Sequence, residues 1–172
     1  MESAATVIDI FLQPGEIFFG DRDTRIRTIL GSCVAITLWH PQLCIGGMCH
    51  FMLPARRPGK PAEALDGRYA DEAMLLLLEE VTSARTSPYD YEVKLFGGGN
   101  MFAPRDQKKH LSVADRNIEA GRALVRQHGF TALVEHLGGR GHRQIIFEVA
   151  SGDVWVRQHA LMDVPPSRPP RK

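Results

Sequence analysis

Thr28-Ile29-Leu30-Gly31-Ser32-Cys33-Val34-Ala35-Ile36-Thr37-Leu38-Trp39 is answered by Gly46-Gly47-Met48-Cys49-His50-Phe51-Met52-Leu53-Pro54, and how these two runs pair decides the fold. The first leads from an apolar approach through a small-residue turn, Gly31-Ser32, into the β-branched and aromatic run Val34 to Trp39. The second is a strand-like run from Ile45 to Phe51, separated from the first by a turn signal at His40-Pro41-Gln42. Paired as a hairpin, the two runs bring Cys33 and His50 together near one end. A thiol within reach of an imidazole is the arrangement that a cysteine nucleophile with a histidine base requires.

Outward from this pair, Val7 to Leu12 and Glu16 to Phe19 read as short strands, with Pro14-Gly15 between them as the turn of a hairpin. Asp21-Arg22-Asp23 reads as a solvated turn before Thr24 to Leu30. On the other side, Ala55 to Pro61 is rich in proline, glycine and charge and reads as a mobile surface loop. Tyr69 to Ala84 carries Ala70, Ala73, Met74, Leu77, Leu78 and Val81 at helical spacing, with Asp71 and Glu72 where the helix dipole favours acids. Tyr91 to Phe96 is a strand leading into Gly97-Gly98-Gly99, and Ala114 to His128 is a second helix ended by Gly129. Three more strands follow at Thr131 to Leu137, Gln144 to Val149 and Val154 to Gln158. This order predicts an α+β fold, a single-domain layered sandwich with helices packed on stacked mixed β-sheets. The domain is expected over 1–160, with a disordered tail at 161–172 that carries Pro165-Pro166 and Pro169-Pro170.

Composition narrows the function classes. A chain of 172 residues, 44% hydrophobic, supports one sizeable core. Its net charge of +1 gives no global field for nucleic acid or an anionic membrane, so the expected partner is a protein or a small molecule. The three cysteines, Cys33, Cys44 and Cys49, crowd into one region instead of stapling the fold, which fits a reducing cytoplasm. No signal or membrane-spanning run is expected, and no apolar face is left over for a dimer seam, so a monomer is expected.

Several of these motifs also carry a resemblance. Leu30-Gly31-Ser32-Cys33-Val34-Ala35, Gly46-Gly47-Met48-x-His50-Phe51-Met52-Leu53-Pro54, Tyr69-Ala70-Asp71-x-Ala73-Met74, Lys94-Leu95-Phe96-Gly97-Gly98-Gly99-x-Met101-Phe102, Arg116-Asn117, Gly138-Gly139 and Phe147 closely resemble the CheD family. These are the chemoreceptor glutamine deamidases of bacterial chemotaxis. The likeness runs in unbroken order from about residue 14 to about residue 158. It implies a cytoplasmic enzyme that hydrolyses glutamine side chains on chemoreceptor cytoplasmic helices to glutamate, with no cofactor or metal. It places the catalytic cysteine and histidine on Cys33 and His50 and an assisting threonine on Thr28, and it implies a partner, a chemotaxis phosphatase of the CheC type. The sequence departs from the family pattern at Ala114, where a glycine is usual, and at His142, which takes the later glycine of a Gly-Gly-x-x-Gly-Arg run.

The chemistry asks for a strong nucleophile, an oxyanion site and a proton donor for ammonia. A free thiol with pKa about 8.5 is only a few per cent thiolate at neutral pH, and pairing with imidazole is expected to raise that fraction. The amides of Ser32 and Cys33 are natural oxyanion donors. Thr28 could orient either the imidazole or the substrate carboxamide. From composition alone Cys33 reads equally as a small buried hydrophobe and His50 as a core histidine. Cys44 and Cys49 read as core thiols. A metal site on Cys44, Cys49 and His50 is disfavoured, because adjacent strand residues face opposite ways. Gly97-Gly98-Gly99 lacks the rest of a phosphate loop and reads as shaping a cleft or partner surface. Arg56, Arg57 and Lys60 read as a solvated loop or as a docking patch for acidic receptor helices. Two rivals remain open: a Cys-His amidohydrolase with another substrate, and a non-catalytic module that regulates the phosphatase.

Overall fold

A computed structural model describes residues 6–59, 63–102 and 111–161. Nine strands and two helices are present among them: β1 (Ile8–Phe11), β2 (Ile17–Gly20), β3 (Thr24–Leu30), β4 (Val34–His40), β5 (Ile45–Phe51), α1 (Ala70–Ser83), β6 (Glu92–Gly97), α2 (Val113–Gln127), β7 (Ala132–Leu137), β8 (His142–Glu148) and β9 (Val154–His159). The strands form two mixed sheets, four strands in the order β1-β3-β8-β9 and five in the order β2-β5-β4-β6-β7. The helices cover one face of the five-stranded sheet and the four-stranded sheet covers the other. The expected layered α+β architecture is the one observed.

The central strands explain this layering. β4 is the run VAITLWH, apolar almost throughout and buried at every position except Trp39. A strand with two apolar faces needs a covering layer on each side. On the helix side, Val34, Ile36, Leu38, Cys49 and Phe51 join Met74 and Leu77 of α1 and Ile118 and Val125 of α2. On the other side, Ala35, Met48 and Phe96 meet Ile26 and Leu30 of β3 and Ile145 and Phe147 of β8. β3 alternates cleanly, with Thr24, Ile26, Thr28 and Leu30 all buried. Its inner face is therefore the floor beneath β4 and β5.

The hairpin of β4 and β5 forms as the sequence indicates, with Val34 opposite Phe51 and Ala35 opposite His50. The Pro14-Gly15 hairpin does not. β1 pairs in parallel with β3, and β2 pairs antiparallel with β5, so Pro14-Gly15 carries the chain from one sheet to the other. The reason lies in Gly15, which adopts φ +88° and donates its N–H to the carbonyl of His50 at 2.8 Å. That bond draws the following residues onto β5 and away from β1. Cys49 is core, as expected, but Cys44 is not. It sits half-buried in the turn after β4 with φ 49°, its thiol donating to the Pro41 carbonyl. The second helix begins with a capping box, in which the Ser112 hydroxyl accepts from the Asp115 N–H and the Asp115 carboxylate accepts from the Ser112 N–H. Residues 162–172 of the expected tail and 60 and 61 of the expected loop lie outside the described residues.

One glycine at the end of β6 ties the fold to the site. Gly97 adopts φ +109°, and a Cβ there would collide with the carbonyl oxygen of Cys33. Gly97→Ala is therefore expected to lower unfolding free energy by about 2 kcal/mol, from the sum of an unfavourable φ and a displaced neighbour. Urea denaturation checks this; an unchanged midpoint would mean that the backbone there is not under this constraint.

Candidate active site

Strand alternation sets the site. Successive side chains point to opposite faces, so Cys49 enters the helix-side core while His50 points toward the four-stranded sheet. Cys33 lies two residues before Ala35, the residue opposite His50, and packs against the same intersheet cluster. Register therefore sets Cys33 and His50 diagonally at this end of the hairpin, both toward the four-stranded sheet, with no hydrogen bond between Sγ and the imidazole. Cys33 is half-buried, whereas His50 is only 2% exposed.

Thr28, on the inner face of β3, meets His50 across the gap between sheets. Its hydroxyl lies 2.7 Å from His50 Nδ1 and 2.8 Å from the carbonyl oxygen of Leu12. A carbonyl can only accept, so the single hydroxyl proton goes to Leu12 and Thr28 accepts from His50 Nδ1–H. This fixes the tautomer: Nε2 of the neutral ring carries a lone pair. Nε2 is buried and has no partner among the described residues. Of the two roles open to Thr28 in the sequence, orientation of the imidazole is the one this geometry displays.

Burial dominates the electrostatics. It pushes the Cys33 thiol above its usual value, with a smaller opposing effect from the residue's own N–H. The same desolvation lowers His50 to about 4. Both shifts favour the uncharged forms, a thiol at Cys33 and a neutral imidazole at His50. Removal from water opposes the rise in thiolate fraction expected from pairing with imidazole.

The turn that carries Cys33 is held from three sides. Gly98 N–H donates to the Cys33 carbonyl at 2.8 Å and Gly99 N–H to the Gly31 carbonyl at 2.9 Å. The three glycines thus cradle backbone, and Gly98, at φ +62°, lies so close to Ile118 that a side chain would not fit. Arg143 supports this cradle. It is buried with no carboxylate partner among the described residues, and it donates to the carbonyls of Gly97 and Gly138 and to His136 Nδ1. Met101 packs over Gly31. The third support is Asn117, whose amide nitrogen donates to the carbonyls of Ser32 at 3.1 Å and Met52 at 2.8 Å. Sequence reasoning assigned Asn117 no role beyond its place in a motif. The signal was present: Ala114, Asn117, Ile118, Gly121 and Val125 all lie on the buried face of α2, and only Asn117 there is polar.

Other expected features fall elsewhere. A surface groove of about 650 Å³ lined by Leu12, Gly15, Glu16, Arg56 and Asp66, among others, includes neither Cys33 nor His50. Arg56 is engaged by Glu72 at 2.8 Å, which weakens its case as a docking cation; Arg57 is exposed, and Lys60 lies outside the described residues. No group of three or more His, Cys, Asp or Glu side chains among the described residues could hold a metal ion. No helix among them is long and apolar enough to cross a membrane. His142, at the departure from the family pattern, stacks on its register partner His159 with ring centroids 4.6 Å apart.

Comparison with known proteins agrees with the motifs. The family model for CheD chemotactic sensory transduction matches residues 52–158. A protein of Pseudomonas savastanoi pv. phaseolicola named "Probable chemoreceptor glutamine deamidase CheD" is 51% identical over 94% of this chain and 90% of its own. One from Chromobacterium violaceum, named "Probable chemoreceptor glutamine deamidase CheD 1", is 50% identical over 87% of this chain and 77% of its own. A more distant relative from Leptospira interrogans with the same name is 39% identical over 89% of this chain and 94% of its own. Among solved structures, the hypothetical protein YfiH of Bacillus licheniformis matches 70% of this chain and 49% of its own, at TM-score 0.42 and 14% identity. With its motifs in family order, a family model over more than half its length and relatives at about half identity end to end, the chain belongs to the CheD family.

Proposed function

We propose that this protein is a chemoreceptor glutamine deamidase that hydrolyses glutamine side chains of receptor cytoplasmic helices to glutamate through Cys33, His50 and Thr28. The observation that carries the reading is the Leu12–Thr28–His50 relay, which leaves the Nε2 lone pair on the face that also bears Cys33. The names of the family relatives supply the substrate class. The reaction takes place in the cytoplasm, where a free thiol survives and receptor helices are exposed.

Because the resting pair is neutral, attack and deprotonation are coupled. As Sγ forms its bond to the amide carbon, the thiol proton passes to His50 Nε2. The tetrahedral intermediate's oxyanion is received by the N–H groups of Ser32 and Cys33, neither of which donates to a backbone carbonyl among the described residues. The imidazolium, still held at Nδ1 by Thr28, gives its proton to the departing nitrogen, and ammonia leaves a thioester. Water then attacks, its proton passing to Nε2 and on to the sulfur as the thioester breaks. The products are glutamate and the regenerated thiol, with one water consumed and one ammonia released. A CheC-type phosphatase is the regulatory partner, and the protein acts as a monomer.

Two outcomes test this. Intact mass of receptor cytoplasmic fragments should rise by about one dalton per modified glutamine, and the rise should vanish with Cys33→Ala or His50→Ala. Peptide cleavage would indicate a different amide substrate. No shift with any receptor fragment, from a folded chain, would favour the non-catalytic module. The second outcome concerns pH. The folded pKa of His50, about 4, lies below the ordinary 6.5, so the unfolded chain binds the proton more readily. Its contribution is full above about pH 6.5 and is lost as pH falls through about 4. From pH 7 to pH 4, wild type should lose about 3 kcal/mol of unfolding free energy that His50→Gln does not lose. Parallel losses in both chains would contradict a buried neutral imidazole.

A further inference from the structure

We infer that Asn117 is a positioning residue for the Cys33–His50 pair, a clamp that sets their separation without touching substrate; this rests on the thiol–imidazole reading above. Its amide nitrogen has two protons, and both are used on the segments that carry the pair. One goes to the carbonyl of Ser32, the residue before Cys33, and the other to the carbonyl of Met52, two residues after His50. A single nitrogen therefore spans the open end of the hairpin. Here the β4–β5 ladder, which ends at Val34 opposite Phe51, no longer constrains the strands. Cys33 itself lies just outside the ladder, so something else must hold it in place.

The rest of α2 acts at the same spot. Asn117 is fully buried. One turn further, Gly121 allows the helix to approach Phe51 and Val34, the residues that follow His50 and Cys33. Its neighbour Ile118 packs on Gly98, whose N–H holds the Cys33 carbonyl. One helix face thus reads the position of the nucleophile turn, the histidine strand and the glycine cradle together. The asymmetry within the side chain points the same way. Oδ1 of Asn117 is buried without a partner among the described residues, a cost the fold carries while both donors are occupied. The two donors are the part of the amide that joins the two segments.

A merely structural asparagine would lower stability without regard to His50. A clamp acts through the pair, so its effect should disappear when the imidazole is gone. The test is a double-mutant cycle on the alkylation rate of Cys33 by iodoacetamide at neutral pH, resolved from Cys44 and Cys49 by peptide mass spectrometry and run well below each variant's melting temperature. Asn117→Ala should slow Cys33 by roughly tenfold to a hundredfold in the wild-type background, the range that a small misplacement costs. In the His50→Ala background the same substitution should change the rate less than about twofold, and on receptor fragments it should lower kcat with KM little changed. Equal slowing in both backgrounds would overturn the clamp and leave the thiol–imidazole pair standing. A His50→Ala chain that alkylates as fast as wild type would overturn the pair, and the clamp with it. Should Asn117→Ala not fold, Asn117→Ser takes its place in the cycle; if neither folds, the residue serves the fold and the inference fails.

Discussion

Between two apolar sheets, a hydroxyl on one and an imidazole on the other stand 2.7 Å apart, and the arrangement around them follows from the need to satisfy both. A buried polar group without a partner costs several times what a normal hydrogen bond contributes. The relay meets that need by ending on the Leu12 carbonyl, just past β1, so the edge strand is placed as much by this chemistry as by its own short ladder. The crossover at Gly15 follows from the same neighbourhood, since its N–H takes the carbonyl of His50. Within the relay, Nε2 has no hydrogen-bond partner among the described residues. In a seam otherwise so well paired, that orphan lone pair on the side of the hairpin that carries Cys33 is the feature the proposed chemistry uses.

Burial gives the site its character. In water a cysteine and a histidine would share a proton easily. Here the same desolvation raises the thiol and lowers the imidazole, so both rest uncharged and the thiol attacks an electrophile only as its proton leaves for a base. Such coupled transfer requires the thiol and its base to be held in register. The backbone cradle serves the same end. Gly97, Gly98 and Gly99 come so close to Cys33 and Gly31 that the turn has little freedom, and the buried Arg143 closes the far side of the loop on two carbonyls.

Much of this was legible in the residues. The β-branched run Val34 to Trp39 and the strand-like run Ile45 to Phe51, with a proline turn between, pointed to the hairpin that forms. The two-residue period of strand side chains separated Cys49 from His50. Periodicity located both helices to within a residue or two. What sequence could not show was long-range partnership. Pro14-Gly15 has the composition of a hairpin turn, and nothing local reveals that His50, far along the chain, captures Gly15. Cys44 looks like a core thiol until the turn puts it at positive φ. Asn117 is an ordinary helical asparagine by propensity, and its two carbonyl partners lie 85 and 65 residues away. Thr28 was placed by resemblance, while its role came only from the direction of one hydroxyl proton.

That proton direction is the point on which the chemistry turns, and nitrogen-15 NMR of the His50 ring reads it directly. At neutral pH the relay predicts a neutral imidazole protonated at Nδ1, with Nε2 bearing the lone pair, and a loss of that tautomeric preference in Thr28→Val. A ring protonated at Nε2, or an imidazolium persisting at neutral pH, would contradict it: His50 would then have no lone pair with which to take the thiol proton.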